Sequence, residues 1–399
     1  MPGRDTLVVK SYDVVLVRLS AFCLESTHIF HEILSSLQLG CAREVVGMLR
    51  SFYAMTMPGL ETLAFSEIRA KMPDAELVKF ARGIALFRTA TPPGELLQLR
   101  TTEDVFITLA HITGLGRGRD AVRVFHSAML NLEDMNATLS VWRRAHKAIQ
   151  PKTWRVVSQM VGTHDFRRTD AGQAVSDALR RIMPRGMRLV DDDADIEFWL
   201  WVGGSEALVG LRVSDATMRH RTYKREHLPA SLRPTIAASM AWLGRPMAED
   251  VVLDPLCGAG TVVIERALLA PFVSASGGDI REDAVAMATR NARAAHIKAT
   301  WSEWDARSLP LDNASVTRIL TNLPFGKQLG TREENTSLYA ALAKEFGRVI
   351  AKDGVQVTLT SDDRVWEMAL RDAGWRVTKK VVMVVLGQPA SIFVAEQVK

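Results

Sequence analysis

Cysteine is scarce: Cys23, Cys41 and Cys257 are the three in a chain of 399 residues. Three thiols make no disulfide framework, which excludes a small secreted scaffold held by bridges. No apolar run approaches the roughly 20 residues that cross a bilayer as a helix. A clean leader pattern is missing as well, because Asp5, Asp13 and Arg18 interrupt the apolar residues before Leu24. A cytoplasmic, reduced protein is therefore expected. Metal-ligand spacing is lacking: Cys23, His28, His31 and Cys41 can be drawn around one ion, but they match no common zinc arrangement, and no metal is expected. Nor does one charge dominate. Lys and Arg number 50 against 45 Asp and Glu, a formal net charge of +5, which favours a polyanionic partner without requiring one.

What is present is length and alternation. The chain exceeds one ordinary domain, and its 47% hydrophobic and 24% charged residues are those of a globular protein. Residues 1–47 hold apolar runs with no alternation that continues onward, so they form an extension of uncertain status. Translation is expected to begin at Met48, with a helical extension as the alternative. From there "MLRSFYAMTMPGLETLAFSEI" reads as strand, Pro-Gly turn and amphipathic helix. Ala81 to Thr89 alternates as a strand, and "PPGELLQLRTTEDVFITLA" supplies a turn, a helix and a short strand. Residues 48–100 thus make a small ferredoxin-like α+β region. Across 101–215 a helical stretch around Leu132 to Ile149 leads to strand, polar turn and helix, then two strands joined across Gly203-Gly204. With no catalytic cluster in view, a binding domain is the inference. Residues 216–238 follow as a linker, and the segment that runs into it is basic: Arg212, Arg219, Arg221, Lys224, Arg225 and Arg233 face only Asp215 and Glu226, which suits either a nucleic acid or plain solvent.

Residues 239–399 change character. "VVLD", "VSASGGD", Ala299 to Trp304, the run ending at Asn322, and "GVQVTLT" are strands separated by helices, which implies a mostly parallel sheet covered on both faces. The tail "WRVTKKVVMVVLGQPASIFVAE" is a hairpin about Gly387-Gln388-Pro389. A parallel, seven-stranded Rossmann-type sheet with a terminal antiparallel hairpin resembles the class I methyltransferases, so the fold class is α/β with an α+β region before it. In "DPLCGAGT", Asp254 to Thr261, glycines let backbone approach a ligand and a helix N-terminus offers free N–H groups. Asp279 ends the second strand, where a carboxylate can take both ribose hydroxyls of a nucleoside cofactor; Asp305 follows the third, placed for an adenine amine. Taken with the strand order, these favour S-adenosylmethionine over NAD.

"NLPF", Asn322 to Phe325, ends the fourth strand. It resembles the Asn-Pro-Pro-Tyr/Phe motif of amino methyltransferases, with Leu323 in place of a proline; a backbone carbonyl does the accepting there, so leucine can supply it. "VGTHDFRR" from Val161 and "ALVGL" from Ala207 resemble a THUMP domain, a module of RNA-modifying enzymes. "HLPASLRPTIAASMAWL" from His227 and "DPLCGAGTVVIERA" from Asp254 are similar to segments of the THUMP-containing tRNA (guanine-N2) methyltransferases. The resemblance covers about Met48 to the C-terminus. It implies methylation of the exocyclic N2 amine of a guanosine in tRNA, in the acceptor stem, with rRNA as the alternative. Asn322 and the Leu323 carbonyl would orient the amine, Pro324 shape the turn and Phe325 stack the base. The S-adenosylmethionine site would comprise Ser231, Leu232, Asp254, Cys257, Gly258, Gly260, Thr261, Asp279, Ile280, Asp305, Ala306 and Asn322. Arg167 and Arg168, with Lys224 and Arg225 of the linker, would hold RNA, including its 3′ CCA end. No membrane, DNA or obligate protein partner is implied. A non-catalytic RNA-binding protein is the alternative of another class, against which the intact Asp254, Gly258, Gly260, Asp279 and Asn322 argue.

Overall fold

The computed structural model describes residues 9–10, 49–132, 134–147, 149–226, 228, 231–324, 332–385 and 387–398. Apart from a two-residue strand, β1 (Val9–Lys10), the expectations for residues 1–47, for a start at Met48 and for the Cys23, His28, His31 and Cys41 group lie outside them.

The described chain is built on two sheets. The first has nine strands: β1, β2 (Arg50–Met55), β3 (Glu76–Ala81), β4 (Ile84–Thr89), β5 (Asp104–Thr113), β6 (Thr153–Val161), β7 (Arg188–Leu189), β8 (Ile196–Gly203) and β9 (Glu206–Arg212). Their order is β3-β4-β2-β5-β9-β8-β6-β7, with β1 beside β5. The period of two along a strand sorts residues between faces. Phe52 and Ala54 of β2 enter a core shared with α1 (Glu61–Lys71), α2 (Ala121–Leu130), α3 (Met135–Ala145) and α4 (Arg168–Ile182). Tyr53 and Met55 enter a second cluster with Phe106, Trp201 and Leu208. β5 pairs with β2 along one edge and β9 along the other, so one sheet runs from residue 50 to residue 212.

Three local expectations need correction. Ala81 to Thr89 is not one strand: Ala81 ends β3, Arg82-Gly83 is a hairpin turn with Gly83 at φ +73°, and β4 begins at Ile84. The helix around Leu132 to Ile149 is the shorter α3, started by Asp134, whose carboxylate accepts the Ala137 N–H at 3.1 Å. After the Pro92-Pro93-Gly94 turn only a short 3-10 helix forms, Glu95–Gln98, and "DVFITLA" belongs to a ten-residue strand in mid-sheet.

A short helix, α5 (Ala216–His220), lies in the linker. The second sheet comprises β10 (Val251–Asp254), β11 (Ser274–Asp279), β12 (Thr300–Glu303), β13 (Val316–Asn322), β14 (Ile350–Thr360), β15 (Trp375–Val385) and β16 (Gln388–Gln397), in the order β12-β11-β10-β13-β14-β16-β15. The first five in this order are parallel, and β16 runs antiparallel to both β14 and β15. The expected alternation and terminal hairpin are both present. Helices α6 (Pro234–Leu243) and α7 (Thr261–Leu269) pack with Leu320 and Val357 on one face. α8 (Glu282–Ala294) flanks β11 and β12. On the other face α9 (Arg332–Val349) and α10 (Asp363–Asp372) cover Ile319 and Phe393. The winding reverses between β10 and β13, which opens a crevice at the carboxyl ends of those strands. Among the described residues no helix is long and apolar enough to cross a membrane.

The two sheets share packing. Met57, Leu60 and Leu63 join the core of Ile236, Met240 and Met383, and the Trp242 indole N–H donates to Ser66 Oγ at 2.8 Å. Glu265 of α7, fully buried, accepts from Arg100 Nε and Nη2 at 2.8 Å, from Arg221 Nε at 3.1 Å and from the Tyr223 hydroxyl at 2.7 Å. Replacing Glu265 with Ala strands two guanidinium groups without their counter-charge. Unfolding should become easier by about 3–5 kcal/mol. Urea titration followed by tryptophan fluorescence measures this, and an unchanged midpoint would reject the role of the junction.

Candidate active site

The loop between β10 and α7 is stitched to its neighbours by backbone. Cys257 N–H donates to the Gly278 carbonyl at 2.8 Å, so the loop crosses toward β11. Gly258 N–H donates to Asp279 Oδ2 at 3.0 Å, and Arg281 N–H to Asp279 Oδ1 at 3.1 Å. These contacts bring Gly258 and Asp279 together as the spacing implied. A side chain at Gly260, where φ is +79°, would put Cβ 2.8 Å from the Trp301 ring. Gly278 is tighter still: a Cβ added there would stand 2.0 Å from the Trp304 indole, so the strand can carry only hydrogen at that position. Trp304 in turn donates its ring N–H to the Pro255 carbonyl at 3.1 Å. The loop leads directly into α7, whose first N–H groups have no intrahelical partner.

Asp254 ends β10 almost fully buried. Burial pushes its carboxyl up to about 7, the nearby Asp279 adds to this, and the Leu256 N–H at 3.2 Å offsets part of it. Burial likewise raises the Cys257 thiol well above its ordinary range, which suits packing and not nucleophilic attack. Ile280 is 63% exposed directly after Asp279, an unusual position for a branched apolar side chain. Ala306 is buried. The Asp305 carboxylate is gripped by Arg307, with Nε at 3.0 Å from both oxygens and Nη2 at 2.6 Å, and these bonds hold it below the usual carboxylate range.

Asn322 closes β13 beside this loop. Its Oδ1 is shielded from solvent and has no hydrogen-bond partner among the described residues. Leu323 N–H donates to the Leu359 carbonyl at 2.9 Å, and the Pro324 carbonyl accepts from the Tyr339 hydroxyl at 2.7 Å. Phe325 lies outside the described residues.

The linker arrives over the same loop, with Leu228 against Gly258. Lys224, which the sequence presents as a surface cation, is turned inward: its amine donates to the Leu232 carbonyl, is 7% exposed, and burial lowers it to about 8. It props the Ser231-Leu232 segment. Arg225 is exposed, but its N–H is tied to Asn291 Oδ1 at 3.2 Å. Asn291 of α8 is a residue that sequence reasoning does not pick out. Its amide also donates to the Glu226 and Ala259 carbonyls at 3.2 and 3.1 Å, joining linker to glycine loop. Nothing local marks such a residue, since its partners lie 32 to 66 positions away.

Arg167 and Arg168 are both exposed at the start of α4. Arg168 lines a cavity of about 420 Å³ on the first sheet, with Trp199 and Trp201 in its wall and Arg82, Arg219 and Arg233 around it. Arg219 and Arg233 are paired with Asp104 and Glu103. The cavity joins aromatic surface to guanidinium groups, a combination that suits unstacked bases and phosphate.

Comparison with known proteins identifies relatives of the chain. A family described as UPF0020, RMKL-like, methyltransferase domain matches residues 221–388. A tRNA (guanine(6)-N2)-methyltransferase of Thermus thermophilus is 30% identical over 297 residues, 72% of this chain and 82% of that protein. A mouse protein named tRNA (guanine(6)-N(2))-methyltransferase THUMP3 is 32% identical over 219 residues, 51% of this chain; the match spans 43% of the mouse protein, less than half its length. Among solved structures, TrmN from Thermus thermophilus superposes with a TM-score of 0.72 at 26% identity, covering 88% of this chain and all of that one.

The Asp254 carboxyl makes a pH-dependent contribution whose sign is fixed. Its folded value, about 7, lies above the roughly 3.9 of an unfolded aspartate. Between those values the folded state keeps a proton that the unfolded chain has lost, so stability falls as pH rises through about 7. Asp254→Asn, neutral at every pH, should raise the melting temperature of the ligand-free protein at pH 8, with the gain shrinking toward pH 4. A gain independent of pH in calorimetric scans would refute this.

Proposed function

The chain belongs to the family of THUMP-containing tRNA (guanine-N2)-methyltransferases, and from that premise we propose that it methylates the exocyclic N2 amine of a guanosine in tRNA with S-adenosylmethionine as methyl donor. The observation that carries the reading is the shielded Asn322 Oδ1 at the end of β13, which has no hydrogen-bond partner among the described residues. A buried acceptor without a donor costs free energy unless a ligand supplies one. An aromatic amine offers two N–H donors, and Asn322 Oδ1 with the Leu323 carbonyl can take both.

That pairing also accounts for the chemistry. The lone pair of a guanine N2 amine is delocalised into the base, so attack on a methyl group requires the nitrogen to be held in line and drawn toward pyramidal geometry. Two fixed acceptors do this, and they act most strongly as positive charge develops on nitrogen. The proton can leave after transfer, so no general base is needed beforehand. Bound S-adenosylmethionine supplies an electrophilic methyl on sulfonium. The chain's own part is to hold it: Asp279 keeps lone pairs free on both oxygens for ribose hydroxyls, beyond the two N–H bonds it accepts. Ile280, exposed after β11, would offer an apolar face to adenine, and Asp305 and Ala306 follow β12, the strand paired with β11. Ser231 and Leu232 would close the methionine end, and Phe325 would stack on a base that has left its helix.

RNA would reach this edge from the first sheet. Arg167, Arg168 and the Trp199 cavity are read as the anchor for the unpaired 3′ CCA end, which leaves the acceptor stem facing the crevice. Three cysteines and the tRNA substrate suit a cytoplasmic protein.

Asn322→Ala should lower turnover on saturating tRNA by on the order of 100-fold while changing cofactor affinity little; single-turnover assays with labelled S-adenosylmethionine and calorimetry separate the two, and near wild-type turnover would sink the assignment. For the anchor, trimming CCA should reduce methylation at least about tenfold, roughly 1.4 kcal/mol. The double variant Arg167→Ala and Arg168→Ala should lose as much and show a shallower salt dependence. Matched transcripts with and without CCA, beside an rRNA fragment, test this; equal rates on both tRNAs, or a preference for the rRNA, would overturn tRNA-end anchoring.

A further inference from the structure

A buried phenol sits behind the catalytic turn. Tyr339 of α9 has no exposed surface and packs edge-on against Trp366, ring centroids 5.4 Å apart. Its hydroxyl is 2.7 Å from the Pro324 carbonyl and 2.8 Å from Thr360 Oγ1, and Thr360 Oγ1 is 3.0 Å from Asp362 N. The protons in this chain can be assigned by elimination. A carbonyl only accepts, so the Tyr339 proton goes to Pro324; the Thr360 proton then goes to the Tyr339 oxygen; and Asp362 N–H donates to Thr360. Each bond points the same way, and such chains reinforce one another. Burial raises the Tyr339 phenol, which keeps it protonated and able to donate.

The chain ends one residue beyond the carbonyl that the transfer needs. Leu323 is anchored on its other side by its N–H to the Leu359 carbonyl at 2.9 Å. Between the two anchors the Pro324 ring removes one torsion by locking φ. The rest are restrained together, because both ends of the Leu323-Pro324 unit are fixed to the same strand, β14, directly or through Thr360. We infer that Tyr339 is a positioning residue for methyl transfer: by holding the Pro324 carbonyl it fixes where the Leu323 carbonyl points, and so whether the second N–H of the amine is met. The inference rests on the reading of Asn322 and Leu323 as amine acceptors. It concerns a side chain in a helix 17 positions after Asn322.

The test compares full-length wild type with Tyr339→Phe, which removes one oxygen and keeps the ring, and with Thr360→Val and Thr360→Ser, which remove and retain the next hydroxyl. Tyr339→Phe should lower kcat on tRNA at least about tenfold, with S-adenosylmethionine Kd and tRNA KM within about threefold of wild type. Thr360→Val should show a smaller loss of the same kind, and Thr360→Ser should restore the wild-type rate. If Tyr339→Phe does not fold, the two Thr360 variants carry the comparison alone. Wild-type kcat in Tyr339→Phe, or losses shared equally by kcat and cofactor affinity, would overturn the positioning role and leave the proposed function standing. A wild-type chain that binds S-adenosylmethionine yet methylates no tRNA would overturn the function first, and this role with it.

Discussion

A carboxylate with no exposed surface, Glu265, holds the two halves of the molecule in register. It receives one guanidinium from the end of the first region, Arg100, and a second guanidinium and a phenol from the linker, Arg221 and Tyr223. Desolvating such charges is costly, and the cost is recovered only when geometry and hydrogen bonding are complete. A partly displaced linker would leave several charges buried and unpaired at once, so intermediate arrangements are disfavoured. Glu265 lies one helical turn after Thr261, on the helix whose N-terminus faces the glycine loop. The glycine loop and the domain junction are thus one turn apart on a single nine-residue helix.

The two ends of the central strands are treated differently. Below, Asp250 accepts from the nearly inaccessible Arg266 at 2.7 Å and from Thr317 at 3.2 Å, while Arg318 donates to the Gly244 carbonyl at 2.8 Å. Above, β13 finishes on an amide oxygen with no partner among the described residues, and β10 on a carboxyl whose charged form burial disfavours. The same strands thus carry different polar balances: at the lower edge charged groups are paired within the chain, although the Arg266 Nε has no partner among the described residues, and the upper edge leaves an acceptor and a carboxyl that a ligand can use.

Much of this is legible in the sequence, for identifiable reasons. Parallel strands covered on both faces appear as plain apolar runs, which exposes the alternation of the second half, and Gly387-Gln388-Pro389 marks its hairpin. β3 escapes such a reading because Glu76, Leu77 and Val78 are exposed and present no buried period, and the Arg82-Gly83 turn merges into the following strand. Asp134 is an ordinary N-cap, and treating it as one shortens the helix expected over Leu132 to Ile149. Lys224 misleads because a lysine among arginines resembles a solvated cluster, whereas its amine turns to a carbonyl eight positions on. The candidate site residues with a motif around them, Asp254, Gly258, Asp279 and Asn322, are visible; Asn291, Tyr339 and the partners of Glu265 are not. Their meaning lies in contacts between distant segments, and a short window of sequence holds no trace of those.

Strand β5 bears ladders on both edges, to β2 and to β9. For anyone dividing the protein, this makes residues 50–113 and 153–212 poor candidates for separate expression. Either piece alone would present a long unpaired strand edge, an invitation to swap strands with a second copy or to aggregate. It also bears on ancestry: an insertion or exchange of modules is tolerated where few backbone bonds cross the seam, and here a full ladder crosses it, so the two parts of the first sheet are expected to have been inherited, lost and duplicated as a single unit.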